Sequence, residues 1–122
     1  MTILEVDKFV VKAEKQAEMI ALWQKTIKYL KDHPEKTKAK STKIYTQMLG
    51  GIFGTFVITF KYDSLADWEK DYASMMKDET LVKIFEASMA MIVPGTYSIT
   101  ILNAIEEESA LPHDTPMSRI HT

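Results

Sequence analysis

Cysteine is absent from the 122-residue sequence, which excludes disulfide bonds, thiolate metal sites and cysteine nucleophiles. The absence suits a reducing compartment, and we expect a cytoplasmic location. No apolar run is long enough to span a membrane, and the first residues are not typical of a signal peptide. The net charge of −2 lacks the basic excess of nucleic-acid-binding proteins. We therefore expect one domain with neither a membrane nor a nucleic acid as partner.

Glycine is also scarce, and three of the four glycines lie in the segment QMLGGIFGTFVITF. A phosphate-binding loop needs a strand, then glycines, then a helix whose N-terminus faces the anion. Here the glycines are followed by the alternating residues 55–62, and no Gly-Lys-Ser/Thr occurs. The segment therefore predicts a hairpin turn between two strands.

The remaining chain alternates between strand and helix patterns. Alternating or β-branched stretches predict strands at residues 3–12, 42–49, 55–62 and 96–105. Apolar spacing predicts a first helix at residues 13–31 and a second at 64–92, which Ser64 caps and which breaks at residues 78–80. This order predicts an α+β, ferredoxin-like βαββαβ domain over residues 1–105, with a four-stranded antiparallel sheet. Residues 106–122 are expected to form a tail that is mobile or docked on the surface.

Helices cover only one face of such a sheet, so the other face must contact water or a second subunit. A homodimer closed by two-fold symmetry through this open face would cover its apolar members. We predict that the open face carries the residues Glu5, Asp7, Tyr45, Gln47, Thr55, Val57, Thr59, Ser98, Thr100 and Leu102.

Three segments resemble the NIPSNAP-domain family. ILEVDKFVVKAEK is similar to its YELRxYxxxPGK signature, FKYDSLADWEK to its WxYxSLxxRE segment, and KDETLVKIFEAS to its DPEWxxFL stretch. The resemblance implies a ferredoxin-like domain that forms a dimeric α/β barrel, but it implies no single activity. The matching positions are Glu5, Val6, Phe9, Lys15, Phe60, Tyr62, Ser64, Leu65, Asp78 and Glu79.

The sequence departs from that family at Asp7 and Trp68, where the family has arginines, so any role tied to those arginines is not carried over. The wider superfamily of such barrels includes antibiotic-biosynthesis monooxygenases, muconolactone isomerases and haem-degrading monooxygenases. Resemblance to the last group puts Asp78 where an axial histidine is needed, and aspartate cannot supply that ligand. We therefore expect no haem and no other cofactor.

Histidine offers no metal site. The three histidines are His33, His113 and His121, and none has a metal-binding spacing such as His-x-x-x-His. We expect no metal.

Glu5 and Asp7 form the candidate acid–base pair. Residues two apart on a strand share a face and lie roughly 6–7 Å apart. If that face is covered, repulsion and desolvation would raise the pKa of one carboxylate into the range of a general base. The alternative is an ion pair with Lys43 or Lys61 on neighbouring strands.

Barrels of this type hold small apolar ligands between the sheet and the second helix, and the resemblance implies such a cavity lined by Trp68, Tyr72 and Phe85. Tyr45 or Gln47 would orient the ligand, and Thr59 would need a ligand or another partner.

Two functions follow from these predictions. The first is a small-molecule-binding protein or cofactor-independent enzyme, monooxygenase- or isomerase-like, whose ligand is small and apolar or aromatic. The alternative is a noncatalytic interaction module of the NIPSNAP type, in which the basic loop 36–43 or the tail 106–122 makes the contact.

Overall fold

The computed structural model describes residues 2–112, and these form a four-stranded sheet with its helices on one face. Short 3-10 turns precede α1 at Ala13–Lys15 and follow it at Pro34–Lys36. The strands and helices in chain order are β1 (Ile3–Val10), α1 (Gln16–Asp32), β2 (Ser41–Thr46), β3 (Thr55–Tyr62), α2 (Leu65–Met75), α3 (Glu79–Met91) and β4 (Ser98–Asn103).

The sheet has the strand order β2-β3-β1-β4, and every neighbouring pair is antiparallel. This is the ferredoxin-like arrangement, in which the two central strands are the first and third of the chain. The predicted fold class is therefore confirmed, with the second helix divided into α2 and α3.

The second helix begins at the predicted Ser64 cap, and its second piece begins within the predicted break at residues 78–80. The Ser64 side chain accepts a hydrogen bond from the backbone N–H of Asp67 at 3.1 Å. The carboxylate of Asp78 accepts one from the backbone N–H of Leu81 at 3.0 Å. Each side chain satisfies a donor that a helix N-terminus leaves free, so each fixes where its helix starts.

The glycine-rich segment is the hairpin connection between β2 and β3, as predicted. Gly54 has a φ of +89°, which side-chain-bearing residues rarely adopt. A Cβ at this position would lie 2.9 Å from the backbone oxygen of Val11. Because the Gly54 carbonyl also accepts a hydrogen bond from the Val11 N–H at 2.9 Å, the hairpin is held against the end of β1.

The core lies between the sheet and the helices. Phe9 packs against Phe56 and Tyr97 with ring centroids 6.1 Å and 5.8 Å apart. Met19 from α1 and Met91 from α3 are buried against the same side of the sheet. Apolar burial on this one face orients the helices over the strands.

The prediction that Glu5 and Asp7 lie on the open face is wrong. Both lie on the helix-covered face, opposite Phe60 and Ile58 of β3, and each is 8% exposed. The register instead places Leu4, Val6 and Lys8 on the open face. Ile3 and Phe9 are large apolar residues on the same face of β1 as the two acids. Because Ile3 and Phe9 are buried against the helices, the acids are buried as well.

No helix among residues 2–112 is long and apolar enough to cross a membrane. The predicted tail is described as far as Pro112, and residues 113–122, with His113 and His121, lie outside the described range. Within the described part of the tail, Glu107 accepts a hydrogen bond from Thr2 at 2.7 Å.

Candidate functional site

A cavity of about 370 Å³ lies between the sheet and all three helices. Most of its wall is apolar, with Met19 and Leu22 from α1, and Val82 from α3, among its members. Tyr72 on α2 and Phe85 on α3 also line it and are 53% and 45% exposed, so the cavity reaches the surface between these two helices. Its volume is that of a pocket for a small organic molecule.

The polar part of this wall is built around the acid pair. Trp68 on α2 donates its indole N–H to Oε1 of Glu5 at 2.6 Å, and Tyr97 donates its hydroxyl to Oδ2 of Asp7 at 2.9 Å. Among the described residues, no donor reaches Oδ1 of Asp7, although this atom is buried. One side of the Asp7 carboxyl group therefore lacks a hydrogen bond that its ionised form needs.

Burial raises the pKa of Asp7 from 3.8 to about 8. Glu5 adds to the rise, as an acceptor for the proton of neutral Asp7 and through its charge, while the hydrogen bond from Tyr97 opposes it. Burial and the nearby carboxylates also raise the pKa of Tyr97 well above its usual value, so its hydroxyl stays a donor. Near neutral pH, Asp7 is thus poised between its acid and base forms.

Among residues 2–112, no ion pair includes Glu5 or Asp7. The alternative of an ion pair with Lys43 or Lys61 is therefore wrong. Lys43 lies opposite Thr59 and Lys61 lies opposite Leu4, both on the open face, and Lys61 pairs instead with Glu108 at 3.8 Å. The sheet separates these lysines from the two acids.

A second buried aspartate, Asp71, lies on α2 one turn after Trp68. One of its oxygens accepts hydrogen bonds from the hydroxyls of Tyr62 at 2.7 Å and Thr37 at 2.9 Å. The other accepts from the backbone N–H of Lys38 at 2.8 Å. Both oxygens are therefore satisfied, and the contacts fix the loop before β2 against α2.

The structure divides the predicted ligand-binding residues into two groups. Trp68, Tyr72 and Phe85 lie together on the cavity wall with Glu5 and Asp7.

The other three do not reach this cavity. Tyr45 and Thr59 lie on the open face, opposite Val57 and Lys43, respectively. Gln47 lies in the hairpin connection and donates to the backbone oxygen of Gly50. The expectation that Tyr45 or Gln47 orients a ligand beside the acid pair is wrong, because the sheet lies between Tyr45 and the acids, and Gln47 is bound to its own loop.

Among the wall residues that sequence reasoning did not assign to the site are Trp23, Tyr62 and Tyr97, whose aromatic rings carry a polar group. Trp23 packs edge-on against Phe60, and its indole N–H is buried without an acceptor among the described residues. The parity of Tyr62 with Phe60 along β3 could have placed it beside the acids. For Tyr97, which precedes β4, no local pattern indicates that its hydroxyl reaches Asp7.

Asp78 lies outside the cavity wall, and its carboxylate is engaged elsewhere. It caps α3, accepts a hydrogen bond from Tyr29 at 3.3 Å and pairs with Lys36 at 2.9 Å. The hydrogen bond from Lys36 holds the pKa of Asp78 below its usual value. Within the described range, no group of three His, Asp or Glu side chains could hold a metal ion.

Comparison with known proteins identifies the fold class of this chain through its structure. No family model matches the sequence, and no curated protein matches it either. Solved structures do match, and they include NIPSNAP proteins and monooxygenases of antibiotic biosynthesis, which share this ferredoxin-like fold.

The individual matches cover nearly the whole chain. A NIPSNAP family protein from Agrobacterium tumefaciens has a TM-score of 0.70 at 15% identity, over 88% of this chain and 89% of that one. A NIPSNAP-like domain protein from Burkholderia xenovorans has a TM-score of 0.69 at 13% identity, over 95% and 97%. SnoaB, a cofactor-independent oxygenase from Streptomyces nogalater, has a TM-score of 0.65 at 12% identity, over 92% and 98%. These matches confirm the predicted resemblance at the level of the fold.

Proposed function

We propose that this chain binds a small, largely apolar or aromatic molecule in the cavity and transfers a proton to or from it without a cofactor. The observation that carries the proposal is the buried Glu5–Asp7 pair on the wall of an otherwise largely apolar cavity. The likeness to SnoaB, a cofactor-independent oxygenase, supports the same reaction class.

Asp7 is the proposed base. A base works best when its pKa is close to the operating pH, and burial brings the pKa of Asp7 to about 8. Tyr97 holds one oxygen of the carboxyl group, and Glu5 is held in turn by Trp68. The group is therefore oriented by neighbours while its second oxygen stays without a donor, as a base requires before it takes a proton.

The ligand would enter between α2 and α3. Tyr72, Met76 and Phe85 are about half exposed there and line the cavity, so their inner surfaces can contact an apolar ligand. Removal of a proton from an acidic C–H or O–H group would leave an anion. That anion either takes the proton back at another atom, as in an isomerase, or reacts with oxygen, as in an oxygenase.

The open face is the proposed homodimer interface, as in a dimeric α/β barrel. Its three cross-strand rows mix lysines and hydroxyls with apolar residues, and Tyr45 and Leu102 are about half exposed there. A second copy would cover these side chains. We also propose that the protein is cytoplasmic, as expected from the absence of cysteine.

Exchange of an acidic C–H hydrogen for deuterium tests the proposed proton transfer directly. The probe is β-tetralone, a neutral bicyclic ketone whose C–H between the ring and the carbonyl is acidic. In deuterium oxide, proton NMR should show exchange at least about tenfold faster with the protein than in buffer, because a positioned base typically contributes more than this. Oxygen uptake, followed with an electrode, separates oxygenation from simple exchange.

Asp7→Asn should abolish the acceleration. Asp63→Asn is the matched control, since Asp63 is an exposed acid that pairs with Lys40 on the surface, and it should leave the rate unchanged. Both tryptophans of the chain line the cavity, so their fluorescence reports binding independently of turnover. If the wild-type chain neither accelerates the hydrogen exchange of β-tetralone nor binds this ketone, the result would favour the noncatalytic interaction module instead.

A further inference from the structure

We infer that the natural ligand of this cavity carries a positive charge, as an amine whose ammonium group pairs with Glu5 and Asp7 while its apolar body lies against the aromatic wall. The inference rests on the proposed function, because it takes the cavity as the ligand site and names the chemical class that the site selects.

The first argument is the missing counter-charge. Glu5 and Asp7 are each 8% exposed and sit two residues apart on the same side of β1. The described wall of the cavity includes no lysine, arginine or histidine. Buried carboxylates are normally paired with a cation or bound to a metal, and this pair has neither among residues 2–112.

The second argument is the incomplete hydrogen bonding of Asp7. Its Oδ2 accepts from Tyr97, whereas no donor reaches its buried Oδ1. An ammonium group brings up to three N–H donors and a charge of the right sign. Neutral Asp7 can donate its own proton to Glu5, but ionised Asp7 has an open position, whereas both oxygens of Asp71 are satisfied within the fold. The open position of ionised Asp7 therefore points to a donor from outside.

The third argument is the aromatic character of the same wall. Trp68 and Tyr72 pack with ring centroids 5.8 Å apart, and Trp23, Phe85 and Tyr97 line the same cavity. Aromatic faces attract cations, most strongly where water is excluded. Carboxylates together with aromatic rings favour an organic cation over a neutral molecule of the same shape, and they disfavour an organic anion.

Binding of a cation would change the protonation of the pair. Below a pH of about 8 the cavity keeps a proton on Asp7, and a bound ammonium favours the ionised form, so binding releases a proton. The other titratable groups on the wall are Glu5 on β1, Tyr62 on β3, Tyr72 on α2 and Tyr97 before β4, whereas α1 and α3 contribute none. Burial raises the pKa values of Tyr62 and Tyr97 above their usual values, and we therefore assign the release to Asp7.

Three ligands that differ in one group test the inference by calorimetry on the wild-type chain. They are β-naphthylmethylamine, β-naphthylmethanol and β-naphthoate, which are respectively cationic, neutral and anionic at pH 7. We expect the amine to bind at least tenfold more tightly than the alcohol and the carboxylate to show no binding. Titrations in two buffers of different ionisation enthalpy should show release of close to one proton per amine at pH 6, falling to about half a proton at pH 8.

Variants localise the effect. Glu5→Gln should lower the ratio of the amine affinity to the alcohol affinity, because one of the two carboxylates that pair with the ammonium is lost. Asp7→Asn should remove the proton release, and Asp63→Asn should change neither quantity. If Glu5→Gln does not fold, the three-ligand comparison and the proton count on the wild-type chain still decide the question.

Each outcome is informative. If the alcohol binds as tightly as the amine, or if no proton is released, the inference is overturned while the cavity stays a ligand site. If β-tetralone exchanges but the amine does not bind, the inference again falls alone. If none of the three naphthyl compounds nor β-tetralone binds, the proposed function falls with it.

Discussion

Two buried aspartates in this protein have opposite surroundings. Asp71 is 2% exposed and Asp7 is 8% exposed, so both have left water almost completely. Three donors reach Asp71 and satisfy both of its oxygens, whereas one hydroxyl reaches Asp7 and a second carboxylate lies nearby. Burial alone therefore does not mark a functional acid. What distinguishes Asp7 is that the protein leaves its charge uncompensated beside a cavity.

Removal of the satisfied carboxylate should have the largest effect on stability. Asp71→Ala leaves the donors of Tyr62, Thr37 and Lys38 without an acceptor, and we expect a loss of about 4 kcal/mol in the free energy of unfolding. Urea denaturation followed by circular dichroism measures it. Asp63→Ala, which removes an exposed acid, should stay within about 0.5 kcal/mol of wild type. Equal losses in the two variants would show that the Asp71 contacts do not hold the fold.

Replacement of the uncompensated carboxylate should act in the opposite direction and depend on pH. Folding raises the pKa of Asp7 from 3.8 to about 8, so in this window the folded protein binds a proton that the unfolded chain has released. Wild-type stability therefore falls as the pH rises through the window, and Asp7→Asn removes that loss. The stability of the variant relative to wild type should increase by about 3 kcal/mol between pH 5 and pH 8.

Urea denaturation at several pH values checks this difference. Asp63→Asn should follow the wild-type curve in parallel, because its carboxylate is exposed. A flat difference between Asp7→Asn and wild type would mean that the Asp7 carboxyl group gains enough solvation in the folded protein to ionise normally.

The donor tyrosines sharpen the comparison with smaller effects. Tyr62→Phe removes a hydrogen bond to the Asp71 carboxylate and should cost about 2 kcal/mol, whereas Tyr97→Phe at pH 5 should cost about 1 kcal/mol or less, since Asp7 is neutral there. Because the Tyr97 hydrogen bond lowers the pKa of Asp7, its loss should move the Asp7 titration upward. Carbon-detected NMR of the Asp7 carboxyl group measures that midpoint, and a downward shift would contradict the assigned role of Tyr97.

Much of the fold could be predicted because its signals are local. The alternation of residues 55–62, the cap at Ser64, the helix break at residues 78–80 and the glycines of the hairpin each follow from neighbouring residues, and the structure confirms all of them. The boundaries were less accurate, since β1 ends at Val10 and β4 begins at Ser98, within longer predicted stretches.

The site was harder to predict because its burial is set by the whole sheet. In ILEVDKFV, apolar residues occupy both faces of the strand, and the usual rule that charged residues face water puts Glu5 and Asp7 outside. The burial of Ile3 and Phe9 determines which face of β1 is turned toward the helices. That Ile3 and Phe9 are buried, and not Leu4 and Val6, becomes clear only after β1 is paired with β3. The contacts from Trp68 and Tyr97 join residues 63 and 90 positions apart, which no sequence spacing reveals.

The two acids come from one strand, whereas the rim of the cavity comes from two separate helices. The pleat of β1 alone sets the spacing of the carboxylates, so it persists whatever side chains stand at the entrance. Tyr72, Met76 and Phe85 at the rim are partly exposed and can be exchanged without moving β1. Under the proposed function, substitutions at the rim would therefore change which molecules enter the cavity without changing the spacing of the acid pair.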